Sequence, residues 1–499
     1  MKPKVSKIIV YVLLCFAVIL PFTACSTNAG NTDNTAATSG GNSEDSGNSA
    51  PTAEIDPDKP DLPAVDMNGK TFKVLTAGWG EGSNLAKDIG AEEYTGDPID
   101  DAAYERRVKI EQEYNCKIVQ VNEPINEEAV KKYQTSILAA DGAYDFALTN
   151  CTNFSSLLTG NYLIDFKDVP YIDMNKPYWD KNFYESMAIL GRHFAANGDI
   201  SKRRLECVWI MCFNKKMMVD NQLESPYELV KSGQWTFDKM TEMGRKAARD
   251  LDGDGKMTKD DLWGVNYTGD TIMGIVNSSG VRIAELDANG IPQLTINTES
   301  NLEKLMRIYT EMRDDVYSID TLFRFWLGDT DIFADNRCLL LAAATHNINT
   351  LRTIDVDFGI IPYPKWDLAQ ETYTPCTAGN FYSVLSVPKS NGDLENTGII
   401  LEAYSYEGRK TVSPAFYESL LKTKTARDEE SVEMIDYIFG NISYDIGNMY
   451  NFGDIVGTFG YGMSATDNRK VNIVSTVEKN SGKWQSAIDK MVDEISKGE

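Results

Sequence analysis

Asp250, Asp252, Asp254, Thr258 and Asp261 place side-chain oxygens at positions 1, 3, 5, 9 and 12 of a twelve-residue run, and Gly255 falls at position 6. Oxygen ligands at that spacing suit a hard divalent cation, because alternate residues of a tight loop converge on one point and glycine permits the sharp turn. Position 7 contributes a backbone carbonyl, here that of Lys256, and Met257 supplies the apolar residue that follows. The expectation is Ca2+ held in a structural role by Asp250, Asp252, Asp254, Lys256, Thr258 and Asp261. Asp261 stands where glutamate is usual, and its shorter arm weakens the site. The competing reading is an acidic surface turn. Catalytic use would need an open coordination position beside a substrate, and nothing in the sequence shows one.

Other reactive constellations are sparse. The chain has only two histidines, His193 and His346, which argues against a histidine-rich zinc site or a Ser-His-Asp triad. Outside the first 25 residues the cysteines are Cys116, Cys151, Cys207, Cys212, Cys338 and Cys376, with no CxxC. Cys207 and Cys212 are an odd number of residues apart in one apolar run, on opposite faces of a strand, so they do not pair there. Buried thiols and disulfides elsewhere both stay open. The glycines of Ala77-Gly-Trp-Gly-Glu-Gly82 break the GxGxxG spacing, which excludes a dinucleotide loop. A net charge of −25 disfavours nucleic acid, whose phosphates would be repelled.

The N-terminal residues read as an address. Lys2, Lys4 and Lys7 precede an apolar run from Ile8 to Leu20, the pattern of an export signal over residues 1–24 and short for a membrane span. Phe22-Thr-Ala-Cys25 resembles a bacterial lipobox, with Phe22 where leucine is usual, and marks Cys25 for lipidation. Plain signal cleavage near Ala24 is the alternative. From Cys25 to residue 63 the chain reads as a flexible linker, its first half asparagine, threonine, serine and glycine with too little apolar surface to offset ordering.

The elements that would position a site begin near Lys70. Thr71–Thr76 reads as a strand, Asp101–Tyr114 as a helix with Tyr104 and Val108 on one face, Cys116–Val121 as a strand, Glu127–Ala140 as a helix and Tyr144–Thr149 as a strand. That alternation predicts a mostly parallel sheet covered by helices. Ligands of such sheets bind beyond the carboxyl ends of strands, which selects Trp79 and Glu81 after the first strand and Asn150 after the third. Thr236 is an N-cap and Trp235 a staple onto Met240, a structural role. Leu322-Phe-Arg-Phe-Trp326 offers an aromatic wall or a core cluster, with Trp326 a platform for a sugar face. Asp454 closes a polar, aromatic loop, Tyr450–Asp454. Trp484, Ile488, Met491, Val492 and Ile495 form the docking stripe of a last helix.

Phe358–Lys389 joins two proline-closed strands through a long polar interval, so it leaves one packed body and enters another. Its flanks, DFGIIPYPKWD and GNFYSVLSVPKS, with ENTGIILEAYS after them and VWIMCFNKKMMVDNQLESPYELVKSGQWTFDKM before, resemble the extracellular solute-binding proteins of ABC importers, in the sugar-binding branch. The resemblance spans the chain after about residue 68. It implies an α/β, two-lobed periplasmic-binding-protein-like fold of type II, with an interlobe ligand cleft and hinge crossings. Lobe 1 would comprise 64–220 and 358–425, and lobe 2 would comprise 221–357 and 426–499, with the metal loop 250–261. Ligand contacts are then expected at Asn380, Phe381 and Tyr382, beside Gly379.

The implied function is a non-enzymatic, monomeric receptor, lipid-anchored at the extracellular face of a bacterial cytoplasmic membrane. It would deliver a carbohydrate, an oligosaccharide by expectation, to ABC permease subunits by hinge closure. The alternatives are a secreted glycoside hydrolase, a binder of a non-sugar solute, or a scaffold, since the metal loop also resembles dockerin loops. The scaffold lacks the second repeat dockerins use.

Overall fold

The computed structural model describes residues 56–78, 88–321, 328, 330–351, 353–379, 382–421, 429–460, 462 and 472–497. β1 (Lys70–Ala77), β2 (Cys116–Glu123), β3 (Phe146–Asn150) and β11 (Ser383–Ser386) form a four-stranded sheet in the order β11-β3-β1-β2. β1 runs parallel to both β2 and β3, and β11 is antiparallel to β3. Along β1, Phe72 and Val74 enter one core while Leu75 and Ala77 enter another on the opposite face. A sheet covered on both sides in this way must be apolar on both faces, which the sequence of β1 satisfies.

The helix Pro98–Tyr114 packs on this sheet; Asp97 caps it through the N–H groups of Ile99 and Asp100, and Asn115 ends it in the left-handed region at φ 46°. Its buried face carries Ile99, Ala103, Arg106, Ile110 and Tyr114, so Tyr104 and Val108, expected on that face, are only half-buried. Arg106 hides the true stripe from a hydropathy reading. Its guanidinium donates to the carbonyls of Asp199, Ile200 and Ile89 and lies 4.1 Å from the Tyr404 ring centroid, which makes full burial tolerable.

The second sheet is β10-β4-β9-β5-β8, built from β4 (Trp209–Asn214), β5 (Trp263–Tyr267), β8 (Ser318–Asp320), β9 (Cys338–Ala344) and β10 (Phe358–Ile361). β5 is parallel to β8 and β9, and β4 is antiparallel to β9 and β10. This placement corrects the expected lobe boundaries. β4 and β10 both belong to the second lobe, so the first crossing lies at Cys207–Val208, before β4, and the second lies at Cys376–Ala378. Both strands are buried along their whole length, which demands partners on each side, but their partners are distant in sequence and no local pattern names them.

The crossings pair with one another. Val208 bridges Thr377, Trp209 N–H donates to Cys376 O at 3.0 Å and Ala378 N–H to Cys207 O at 2.8 Å. A third crossing follows at Ser443, which bridges Cys376 and donates to Pro375 O at 2.8 Å. The last helix, Ile473–Ser496, buries Trp484, Ile488, Met491 and Ile495 as its stripe foretells, with Val492 half-buried. It packs on the helix Phe154–Thr159 of lobe 1 and on Glu299–Met312 of lobe 2, so this helix is shared between the two.

The folded body also starts earlier than expected, at Asp56. Tyr406 and Lys410 donate to the Asp56 carboxylate at 2.7 and 2.6 Å, and Leu62 and Val65 pack on the lobe 1 core. Residues 56–63 are therefore bound chain and not linker. All six cysteines beyond Cys25 are buried free thiols. Trp235 is fully buried and its indole N–H donates to Pro362 O at 3.0 Å; Thr236 caps the helix Phe237–Ala247.

Candidate functional site

β1 and β3 are parallel and in register through Thr76 opposite Leu148, so their carboxyl ends, Ala77 and Asn150, reach one edge of the lobe 1 sheet. In the second sheet β5, β8 and β9 are mutually parallel in pairs and end together at Tyr267, Asp320 and Ala344. The residue after β9, Thr345, donates its hydroxyl to Leu205 O at 2.6 Å and accepts from Val208 N–H at 3.2 Å. The end of β9 thus meets the first crossing, and the carboxyl ends of strands are where open α/β sheets bind ligands.

The floor of this junction is polar and buried. Arg203, at the start of the short helix Arg203–Glu206, donates to Ala77 O at 2.9 Å. Asp88 accepts from Ser201 Oγ at 2.7 Å and from Arg203 N–H at 3.3 Å, while its other oxygen, Oδ2, is buried without a hydrogen-bond partner. Lys202 donates to Asp100 at 2.6 Å; burial works to lower the Lys202 pKa, but the carboxylates of Glu206 and Asp100 prevail and raise it. Burial raises the Glu206 pKa against the pull of Lys202. His346 reaches across from lobe 2 to the main chain of Glu206, and burial keeps its imidazole below the ordinary histidine range.

Asn150 ends β3, the strand beside β1. Its N–H donates to Asn126 Oδ1 at 2.9 Å, yet neither atom of its side-chain amide has a hydrogen-bond partner, although the residue is fully buried. An unpaired buried polar group costs about 1–3 kcal/mol unless water or a ligand satisfies it. Asp454, expected near the cleft, is exposed and is brought close to this strand: Asn451 Nδ2 donates to Thr152 O at 3.3 Å and lies 3.5 Å from Asp454 Oδ1.

Tyr382 has a different place from the one expected. It is fully buried, its carbonyl accepts from Cys151 N–H at 3.2 Å and its hydroxyl meets that of Tyr444 at 3.0 Å, so it holds the hinge and does not line a ligand wall. Trp79, Glu81, Trp326, Asn380, Phe381 and Cys25 lie outside the described residues. Asp88, Arg203 and His346 escape the sequence reading. The signal was Ser201-Lys-Arg-Arg-Leu-Glu206, four charges directly before a wholly apolar strand, a position where charge must be paired or functional.

The acidic loop lies on the surface between the helix Phe237–Ala247 and β5. Gly253 and Gly255 take left-handed φ values of 73° and 80°, and their N–H groups both donate to Asp250 at 2.7 Å. Those bonds, Gly255 first, lower the Asp250 pKa; Asp252 is raised, its N–H bond from Asp254 outweighed by desolvation and by the neighbouring carboxylates of Asp254 and Asp250. Oxygens of Asp250, Asp252 and Asp254 lie within 4.8 Å of one another, a donor set that fits a hard cation. Asp261 is engaged elsewhere, accepting from Leu251 N–H at 2.8 Å and from Thr258 N–H and Oγ1 at 2.6 and 2.9 Å. In this conformation Thr258 and Asp261 close the loop on itself and three carboxylates converge.

No family model matches the sequence, and no curated protein matches it. Solved structures do. An ABC substrate-binding protein from Listeria monocytogenes in complex with cycloalternan aligns over 83% of this chain and 99% of its own, with a TM-score of 0.54 and 14% identity. The maltose-bound MalE3 of T. maritima aligns over 86% and 99%, at TM-score 0.53 and 12% identity. A sugar transporter protein from Rhizobium etli in an open conformation gives 85% and 99%, at 0.54 and 14%. The fold is that of the two-lobed ABC solute-binding proteins. The similarity extends over nearly the full length of each neighbour.

Proposed function

We propose that this chain is a receptor that captures a carbohydrate, an oligosaccharide in our reading, outside the membrane and presents it to an ABC permease by hinge closure, without covalent chemistry. The observation that carries the reading is a pair of buried polar groups without protein partners, the Asn150 amide at the end of β3 and Asp88 Oδ2 beside Arg203. Hydroxyls both donate and accept, so a sugar satisfies an amide and a carboxylate oxygen at once. Neighbours of the same fold are named for cycloalternan and maltose, which supports the ligand class. The remaining parts of the proposal are a lipid anchor at Cys25, a monomer at the extracellular face of the membrane, no nucleic-acid partner and a structural Ca2+ held chiefly by Asp250, Asp252 and Asp254, with Lys256 adding its carbonyl.

A thermal-shift screen of the protein against mono- and oligosaccharides tests it. A ligand at 100 times its dissociation constant adds about 2.7 kcal/mol of stability. A shift with one glycan and no product on incubation is the expected result. Silence across the panel moves the ligand to another solute, and cleavage of a glycan replaces the receptor by a hydrolase.

A further inference from the structure

Tyr444 and Asp445 are neighbours in the third crossing, and their side chains hold opposite lobes. Tyr444 donates its hydroxyl to Asp180 Oδ2 at 2.5 Å, meets the Tyr382 hydroxyl at 3.0 Å and sets its ring edge-on to Phe183 at 5.2 Å. Asp180 and Phe183 belong to lobe 1, where the other Asp180 oxygen caps the helix Lys181–Ser186. The Asp445 carboxylate is buried and turns the other way. It accepts from Ile283 N–H at 2.6 Å and Ala284 N–H at 3.5 Å, at the start of the hairpin Ala284–Leu294 that follows the lobe 2 helix Gly269–Ser278. Its Oδ1 also caps the helix Ile446–Tyr450 through Gly447 and Asn448. Gly447 permits this approach, since a Cβ there would fall 2.4 Å from Ile283 Cγ2.

We propose that Tyr444 and Asp445 form a clasp about which the lobes turn, with Tyr444 the positioning residue that sets how freely the unliganded hinge opens. The inference rests on the receptor reading. All three crossings are joined by main-chain hydrogen bonds, and the third is in addition gripped by side chains on both sides. One Cα-to-Cα step of about 3.8 Å separates the grip on lobe 1 from the grip on lobe 2. Rotation between the lobes therefore concentrates at this step, as hinge motion does at a few backbone positions.

Hydrogen exchange of the full-length, ligand-free protein tests the clasp. Tyr444→Phe removes the bond to Asp180 and keeps the ring; Asp180→Ser keeps an N-cap but cannot reach Tyr444. In both variants the crossing amides of Trp209, Ala378 and Ser443 should exchange on the order of tenfold faster, while the amides of β1, β3, β5 and β9 keep their rates. Unchanged crossing amides overturn the proposal, and so does equal acceleration across both sheets, which reports general destabilisation. Because no ligand is needed, a faster hinge in a protein that binds no sugar leaves the clasp standing and the receptor reading failed.

Discussion

Tyr178 donates its hydroxyl to the Glu402 carboxylate at 2.6 Å inside lobe 1, and Trp179 adds its indole N–H at 2.8 Å to the second oxygen. Asp173 N–H approaches the same oxygen at 3.4 Å. Despite these donors, burial pushes the Glu402 pKa up from 4.5 to about 7. The site stores a proton that the unfolded chain would release.

Stability should therefore depend on pH through this residue. Below about pH 4.5 both states hold the proton; between 4.5 and about 7 only the folded state does, so the contribution is lost as pH rises across that window. The shift corresponds to about 3 kcal/mol. Denaturant titrations of the wild type and Glu402→Gln at pH 4.5, 6 and 8 measure it. The glutamine variant, which can still accept from Trp179, should lose the slope over this window; an unchanged slope assigns it to other groups.

Asn150→Ala should separate binding from folding. The wild-type amide makes no protein hydrogen bond, so its removal frees the fold of an unsatisfied group and stability should hold or rise by up to about 1 kcal/mol. Affinity for the glycan found by the screen should fall at least tenfold, since a hydrogen bond of about 1.4 kcal/mol is lost. Calorimetric titration beside thermal melting reads both quantities. Unaltered affinity would remove Asn150 from the site.

Calcium should raise the melting midpoint, and chelator should lower it again. Asp252→Asn keeps an acceptor for Asp254 N–H, bonded at 3.1 Å, while relieving repulsion among three carboxylates. The variant should melt at or above the chelated wild type and ignore calcium. A wild-type midpoint indifferent to calcium returns the loop to the acidic surface turns.

Much of the fold is legible locally. Strands β1, β2 and β3 and the helices between them follow the alternation and caps of their own residues, the Thr236 cap forms, and the C-terminal stripe sits where its spacing puts it. The place of Asn150 at the end of β3 is legible because a short apolar run closed by a polar residue marks a strand end. Arg106 and Arg203 are not, because their burial depends on carbonyls of Asp199, Ile200 and Ala77 that only folding assembles. Tyr382, a contact implied by the family resemblance, is fully buried and its hydroxyl meets that of Tyr444, a pairing that depends on a remote segment.

By itself the sequence determined the class of element at each stretch, the acidic loop and the change of packed body after Phe358, since these follow from side-chain periodicity, turn chemistry and ligand spacing. Only the tertiary structure decided that β4 and β10 join the second sheet, that the last helix packs on elements of both lobes, and that Arg203 reaches the carboxyl end of β1 while His346 reaches the main chain of Glu206. The physical reason is pairing over distance. A strand buried on both faces reads the same in either sheet, and a buried charge is tolerable only once partners from remote segments have been brought to it.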